Sequence, residues 1–224
     1  GAGYELKRGS GPAKDNKENF DVSLGNRDWL SQQAQVFENQ LIRQFIADAI
    51  ELVGVMEPAV VEFAEQVERE LGITGFVDEV RRSVGRFFVR FIHYPGNQAL
   101  NAETATAHVD QSGFTFHLFE SDPGLQCLTF GGQWIDMPVS EGETVVIPAM
   151  QLQLRSEGQL KALAHRVITN EETAKTGRYS AVCFVQLADT PKYDKDRHGR
   201  LQERKPGFNY DMFHTDFADL FKAA

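Results

Sequence analysis

The sequence predicts a mainly β domain preceded by helices, and three observations support this fold class. From Asp28 onward, apolar residues recur at spacings of three and four, as in amphipathic helices. From Arg86 onward, short apolar runs alternate with turn signals such as Pro95-Gly96 and Asp122-Pro123-Gly124. Many short strands at near-regular spacing are typical of a sandwich, a jelly roll or a barrel, and we expect one of these three.

The N-terminal part of the chain should be helical after a polar start. Residues 1–27 are rich in Gly, Lys, Asp and Asn, so we expect turns or a partly extended arm there. The first helix should break or restart at Pro58, because proline has no amide hydrogen to donate. A second helix should end at Gly72, and a short third piece should cover Phe76–Val84. Together these helices form a predicted helical region over residues 28–85.

The predicted β core covers residues 86–187, and a C-terminal extension covers residues 188–224. The extension contains a charged stretch, Lys192–Lys205, and a candidate closing helix, Asn209–Lys222. We interpret the charged stretch as a solvated surface segment in preference to a lid over a site. The candidate strands of the core are Arg86–Tyr94, Thr104–Val109, Phe114–Glu120, Leu125–Phe130, Trp134–Met137, Thr144–Ile147, Leu152–Arg155, Ala162–Thr169 and Arg178–Gln186.

Length and composition fit a single globular domain of 224 residues. The formal net charge of −9 argues against a nucleic-acid partner and against an anionic membrane surface. No apolar run approaches the ~20 residues that a membrane span needs, and the first residues do not resemble a signal peptide. Cys127 and Cys183 lie in apolar runs, so we expect two buried free thiols and a cytoplasmic location. The oligomeric state is not predicted.

A candidate metal site begins at His108-Val109-Asp110, at the end of a predicted strand. Residues i and i+2 of a strand lie on the same face, so both side chains can point into one cavity. His165 lies in another strand-like run, ALAHRVIT. Two imidazoles and one carboxylate leave coordination positions open, which suits Fe(II) binding a co-substrate and O₂ better than tetrahedral zinc. An isolated H-x-D arises often by chance, so this motif does not decide alone.

A second cluster, Arg178-Tyr179-Ser180, strengthens the prediction of a site. Arg178 and Ser180 share one strand face. If this strand pairs with the strand of His165 as a hairpin, both side chains reach the cavity of the metal. An arginine inside a β-barrel is costly unless it meets an anion, and the carboxylate of a dicarboxylic acid would supply that anion.

Five stretches between Arg86 and Gln186 carry a joint pattern: FVRFIHYPG, HVDQSGFTFHLF, GLQCLTFGGQWIDMP, SEGQLKALAHRVITN and GRYSAVCFV. The earlier segment KDNKENFDVS contains a D-x-K-E-x-F element. Together these stretches resemble the isopenicillin-N-synthase-like branch of the iron(II)/2-oxoglutarate-dependent oxygenases. The resemblance covers most of the chain.

The resemblance implies a double-stranded β-helix, the cupin-like jelly roll, with N-terminal helices packed on the barrel. It implies that His108, Asp110 and His165 are the catalytic Fe(II) ligands. It implies that Arg178 and Ser180 bind the distal carboxylate of 2-oxoglutarate. Tyr94 matches a tyrosine that hydrogen-bonds this co-substrate, although it is equally well read as a strand-end tyrosine packing on a loop.

The reaction implied by the resemblance oxidises a small-molecule substrate, most commonly by hydroxylation. It consumes O₂ and 2-oxoglutarate and releases succinate and CO₂, with ascorbate as a candidate reductant. Two alternatives remain. One is a same-fold Fe(II) oxidase that does not use 2-oxoglutarate, in which Arg178 and Ser180 bind the substrate's own carboxylate. The other is a jelly-roll binding protein without catalysis. The substrate is not predicted.

Three positions depart from the pattern of that branch. Ile92 replaces a common asparagine, and Ala149-Met150 stands where many members have Gly-Asp. His117 occupies a position that is usually leucine. We expect His117 to be a core or surface histidine and not a substrate contact.

Overall fold

The computed structural model describes residues 3–8, 15–194, 200–201 and 207–208. The helices are α1 (Arg27–Ala34), α2 (Gln40–Leu71), α3 (Phe76–Arg82), α4 (Met150–Arg155) and α5 (Thr173–Thr176). The strands are β1 (Gly3–Arg8), β2 (Asn16–Ser23), β3 (Phe88–Pro95), β4 (Glu103–His108), β5 (Phe114–Glu120), β6 (Leu125–Leu128), β7 (Trp134–Asp136), β8 (Val145–Pro148), β9 (His165–Ile168), β10 (Gly177–Val185), β11 (Tyr193–Asp194) and β12 (Arg200–Leu201).

Two antiparallel sheets form the core of the fold. The large sheet has the order β1-β2-β3-β10-β5-β8, and the small sheet has the order β4-β9-β6-β7. From β3 onward, most strands that follow each other in the chain, such as β3 and β4 or β8 and β9, lie in different sheets. This crossing between two sheets is the topology of a jelly roll. The predicted mainly β fold class is therefore confirmed.

The N-terminal residues are partly extended, which is one of the two forms predicted for residues 1–27, but they pair as a β-hairpin that joins the large sheet, so the prediction of an arm is wrong. β1 pairs with β2, and β2 pairs with β3, which extends the large sheet by two strands. Along β2, burial alternates in the manner of a strand, but the inward positions include Lys17, Asn19 and Asp21. Because the buried face is polar, the alternation of apolar residues that marks a strand in a sequence is absent.

The predicted helix break at Pro58 is also wrong, because α2 continues through this residue. Pro58 lies on the exposed face of α2. The opposite face buries an apolar stripe before and after the proline, and this packing offsets the roughly 3 kcal/mol that a mid-helix proline costs. The helix ends at Gly72 with φ 67°, as predicted. The buried stripe consists of Ile46, Ala49, Val53, Met56, Val60, Ala64 and Val67.

The predicted strands of the core are confirmed with shifted ends, except for Leu152–Arg155. That segment belongs to α4, which begins at Met150. Its apolar and polar residues alternate as in a strand, yet Gln151 and Gln153 are as buried as their apolar neighbours. Gln151 Nε2 donates to the carbonyls of Leu187 and Thr190, and this bonding permits a polar side chain inside the fold.

The predicted C-terminal helix, Asn209–Lys222, lies outside the described residues. Of the charged stretch Lys192–Lys205, the structure describes a short strand pair in which β11 is antiparallel to β12. The interpretation of this stretch as surface or lid stays a prediction. Among the described residues, none of the helices has the length and apolar character that a membrane crossing requires.

The main hydrophobic core lies between the helices and one face of the large sheet. Val60 of α2 and Phe76 of α3 are fully buried there with Phe114 of β5. Cys183 of β10 belongs to this core, and Cys127 is also a buried free thiol, as predicted. The helices cover one face of the large sheet, and its other face lines the cavity described below.

Candidate metal and co-substrate site

A cavity of about 320 Å³ is lined by residues from both sheets. β10 contributes Arg178, Ser180, Val182 and Phe184 by strict alternation, while Cys183 and Val185 face the helices. His165 lies on β9 in the small sheet, so the predicted hairpin between its strand and that of Arg178 is wrong. The residues of both strands nevertheless line the same cavity, because the two sheets meet around it.

The structure brings His108, Asp110 and His165 together. Each residue offers one ligand atom, and these three atoms lie within 4.8 Å of one another. His108 Nε2 is 3.7 Å from Asp110 Oδ1, and His165 Nε2 is 3.9 Å from Asp110 Oδ2. The two histidines are register partners across β4 and β9. Such a set of donors could hold one divalent ion, while its role as an iron site stays a prediction.

Backbone carbonyls orient both imidazoles. His108 Nδ1 is 2.6 Å from the carbonyl of Thr106, and His165 Nδ1 is 3.1 Å from the carbonyl of Leu163. A carbonyl only accepts hydrogen bonds, so Nδ1 carries the proton in each neutral ring and Nε2 keeps its lone pair. This arrangement is the one that metal-binding histidines use to fix their tautomer.

Thr115 orients the third donor, and this residue was not predicted from the sequence. Its Oγ1 donates a 2.6 Å hydrogen bond to Asp110 Oδ2 and fixes the direction of the carboxylate. The sequence of β5, FTFHLFE, could have indicated Thr115, because it places the polar residues Thr115 and His117 at alternate positions. In an apolar strand, two polar residues on one face indicate a polar cavity.

The N-terminal hairpin supports the backbone beside His108. Asp15 Oδ1 accepts hydrogen bonds from the amide of Thr106 at 3.2 Å and from its hydroxyl at 3.3 Å. Lys17 is 2.8 Å from the carboxylate of Asp15. Burial alone would raise the pKa of Asp15, but the charge and hydrogen bond of Lys17 hold it below its usual value. The D-x-K-E-x-F element thus steadies the residue whose carbonyl orients His108.

The site presents two neutral imidazoles and one carboxylate at neutral pH. Burial lowers the pKa of His165 to about 4, and it also lowers the pKa of His108. Burial alone would raise the pKa of Asp110, but His165, His108 and the hydrogen bond from Thr115 hold it below its ordinary value. Metal ligands must be deprotonated, so this is the protonation state that a divalent ion requires.

We predict that the metal-free protein loses stability as the pH falls from about 6.5 to 4. Unfolded His165 has an ordinary pKa near 6.5, so the unfolded chain takes up the proton before the folded chain does. The stability present above pH 6.5 is therefore lost through this window, by on the order of 2–3 kcal/mol. Urea unfolding at several pH values, with wild type and His165→Asn, measures the effect. An equally steep loss in His165→Asn would contradict it.

Arg178 and Ser180 reach the cavity as predicted, but Arg178 already has partners in the protein. Its Nε donates to the carbonyl of Asp122 at 2.9 Å, and its Nη2 is 2.6 Å from Glu120 Oε1. The guanidinium carbon lies 5.7 Å from the centre of the Tyr94 ring, which also lines the cavity. Burial raises the pKa of Tyr94 to about 12, so its hydroxyl remains a hydrogen-bond donor.

His117 is buried, as the expected core histidine would be, and it also lines this cavity. That it does not contact the substrate stays a prediction. Its ring lies edge-on to that of His165, with centroids 6.0 Å apart. Its Nδ1 is 3.8 Å from Glu120 Oε1. Glu120 was not predicted as a cavity residue, because an acidic residue at the end of a strand is ordinarily solvated.

A family model supports the interpretation of this geometry. Residues 86–187, which include all the predicted site residues, match the model of the 2OG-Fe(II) oxygenase superfamily. This segment belongs to that superfamily. The oxygenase segment carries every strand that lines the cavity except the N-terminal hairpin.

Two relatives of known name each match somewhat less than half of the chain. The chain is 40% identical over 116 residues to 1-aminocyclopropane-1-carboxylate oxidase 1 of Cucumis melo, covering 48% of this chain and 35% of that protein. It is 34% identical over 103 residues to a 2-oxoglutarate-dependent dioxygenase of Didymella fabae, covering 43% of this chain and 30% of that protein. The match therefore spans about a third of the length of these relatives. Their names are consistent with the predicted isopenicillin-N-synthase-like branch.

Solved structures of other proteins share the fold. A full-length protein of Neurospora crassa, solved in complex with alpha-KG, superposes with a TM-score of 0.70 at 19% identity, over 86% of this chain and 64% of that chain. The auxin-oxidising dioxygenase 1 of Arabidopsis thaliana, with 2-oxoglutarate, gives 0.65 at 15% identity, over 84% of this chain and 68% of that chain. At these identities the likeness concerns the fold, and the double-stranded β-helix is confirmed.

Proposed function

We propose that the chain is an Fe(II)- and 2-oxoglutarate-dependent dioxygenase that oxidises a small-molecule substrate. Hydroxylation, with release of succinate and CO₂, is the proposed outcome. The observation that carries the proposal is the convergence of His108, Asp110 and His165 within the oxygenase segment, with both Nε2 atoms directed toward the carboxylate. The cavity of about 320 Å³ is of the size that small-molecule sites have.

The donor set fits Fe(II), and each protein group has a definable task. His108, Asp110 and His165 would hold the ion and leave coordination positions open. When bound with 2-oxoglutarate, Fe(II) supplies the activation of O₂. Thr115 fixes the carboxylate direction through its hydrogen bond to Asp110.

Three further residues that line the cavity would hold the co-substrate. Arg178 and Ser180 would bind its distal carboxylate, and the protonated hydroxyl of Tyr94 would donate a hydrogen bond to it. The apolar side chains of Val182 and Phe184 line the cavity beside them and help to exclude water from the reacting groups. A cytoplasmic location and the absence of nucleic-acid and membrane partners stay predictions from charge and cysteine content.

The second candidate is a same-fold Fe(II) oxidase that does not use 2-oxoglutarate. One observation favours it: the guanidinium of Arg178 lies against Glu120, so its charge is already balanced by the protein. In that case the oxidation of substrate would proceed without succinate formation. The similarity to a protein named as an oxidase is compatible with either candidate.

The two candidates are separated by stoichiometry. Purified protein is loaded with Fe(II) under anaerobic conditions, and O₂ is added with 2-oxoglutarate, ascorbate and a small-molecule library. The proposed function predicts O₂ uptake that depends on 2-oxoglutarate and forms one succinate per O₂. Substrate oxidation at an unchanged rate without 2-oxoglutarate would contradict the dioxygenase and support the oxidase.

A further inference from the structure

Three buried polar side chains form a cluster in the part of the cavity where Arg178 would bind the tail of the co-substrate. This tail cluster consists of His117, Glu120 and Arg178. The side chains of Arg178 and Glu120 are 3% and 4% exposed, and that of His117 is 7% exposed. Glu120 Oε1 is shared, because it is 2.6 Å from Arg178 Nη2 and 3.8 Å from His117 Nδ1.

The tail cluster is closely packed but poorly hydrogen-bonded. Within the part of the chain that the structure describes, Glu120 Oε1, Arg178 Nη2 and both ring nitrogens of His117 are buried without a hydrogen-bond partner. Arg178 Nη2 and Glu120 Oε1 thus form a close ion pair, but the N–H groups of Nη2 do not point at that oxygen. Buried polar atoms without partners are costly and rare in native proteins, so they indicate a place where a bound group completes the bonding.

The charge of the cluster bears on which group fits. Arg178 supplies one positive charge, and Glu120 already balances it at 2.6 Å. An incoming carboxylate would place a second negative charge beside the same guanidinium, and like charges in a buried site oppose each other strongly. Either Glu120 must leave Arg178, or the affinity for an anionic tail must fall.

We propose that Glu120 is a specificity-determining residue of the co-substrate site, because it competes with the distal carboxylate of the oxo acid for Arg178. This inference rests on the proposed function. A neutral amide at the same end of the oxo acid avoids the conflict. Its carbonyl oxygen accepts from Arg178 Nη2, and its NH₂ group donates to Glu120 Oε1. The tail cluster therefore lowers the preference for 2-oxoglutarate relative to 2-oxoglutaramate, the oxo acid with an amide tail.

The test measures binding of the two oxo acids without turnover. The 224-residue protein is loaded with Mn(II) under anaerobic conditions, and the dissociation constants of 2-oxoglutarate and 2-oxoglutaramate are determined by calorimetry. For wild type, the dissociation constants of the two oxo acids should differ by no more than about tenfold. Glu120→Gln removes the competing charge but keeps the size, so it should shift the ratio toward 2-oxoglutarate by about tenfold or more.

The matched control is Glu103→Gln. Glu103 also pairs with an arginine, at 2.7 Å from Arg166, but on the outside of the small sheet. This substitution should leave the ratio of the two constants unchanged. The ratio is insensitive to a general loss of affinity, and the wild-type ratio is informative even if Glu120→Gln does not fold.

The outcomes are distinguishable. A wild-type preference of a hundredfold or more for 2-oxoglutarate would overturn the inference and leave the proposed function intact. The inference would likewise be overturned, with the proposed function intact, if Glu120→Gln and wild type gave the same ratio of the two dissociation constants. Failure of every Mn(II)-loaded variant to bind either oxo acid would overturn the proposed function, and the inference with it.

Discussion

Replacing His108, Asp110 or His165 with alanine should abolish metal binding and all turnover while the protein stays folded. The three ligand atoms lie within 4.8 Å of one another, so each substitution removes a third of the protein's donors to one ion. The loss of affinity should exceed the ten- to hundredfold that the loss of an outer hydrogen-bonding partner costs. Anaerobic titration with Fe(II) or Mn(II), with circular dichroism as the check on folding, measures the effect.

The control for this series is His93→Ala, because His93 stacks on Tyr179 outside the cavity. It should bind metal as wild type does. Stoichiometric metal in His108→Ala and His165→Ala, with wild-type affinity, would show that the ion lies elsewhere.

Arg178→Met should destabilise the fold by about 3–5 kcal/mol, because it leaves the buried carboxylate of Glu120 without its charge partner. Combining Arg178→Met with Glu120→Gln should recover much of that loss, since the double variant contains no unpaired buried charge. In the metal-loaded protein, Arg178→Met should also raise the dissociation constant of 2-oxoglutarate by about ten- to hundredfold. Chemical unfolding and calorimetric titration measure the two effects.

Arg166→Met is the matched control for the charge pair. Arg166 lies 2.7 Å from Glu103, but this pair is partly exposed, and Arg166 also lies over the ring of Trp134 at 4.3 Å. Its loss should cost about 1 kcal/mol. Equal losses of stability for Arg166→Met and Arg178→Met would contradict the account of a buried, strongly coupled pair.

The convergence of His108 with Asp110 was predictable from local geometry, whereas the place of His165 beside them depends on the pairing of β4 with β9. His108 and Asp110 are two residues apart, and His165 is the register partner of His108. Alternation likewise places Arg178 and Ser180 on the cavity face of β10. What alternation does not predict is which strands are neighbours. The expected hairpin of β9 with β10 fails because a jelly roll assigns these strands to different sheets.

The features of the fold that were not predicted are those in which tertiary contacts outweigh the local sequence pattern. Pro58 remains inside α2 because the buried stripe on the opposite face holds the helix together. β2 was hidden because its inward face carries charged residues, which find partners only in the folded protein, as Asp21 does with Arg90 at 2.7 Å. Glu120 has an ordinary position in the sequence, and only the packing around Arg178 buries it.

The most direct test of the central claim is anaerobic binding of 2-oxoglutarate to the Fe(II)-loaded protein, followed by visible absorption spectroscopy. Chelation of Fe(II) by an oxo acid gives a charge-transfer band that neither component gives alone. We expect this band to saturate at one 2-oxoglutarate per chain, to be absent without metal, and to be lost in Asp110→Ala. A saturating binding isotherm for 2-oxoglutarate that is identical with and without Fe(II), and that gives no band, would contradict the claim.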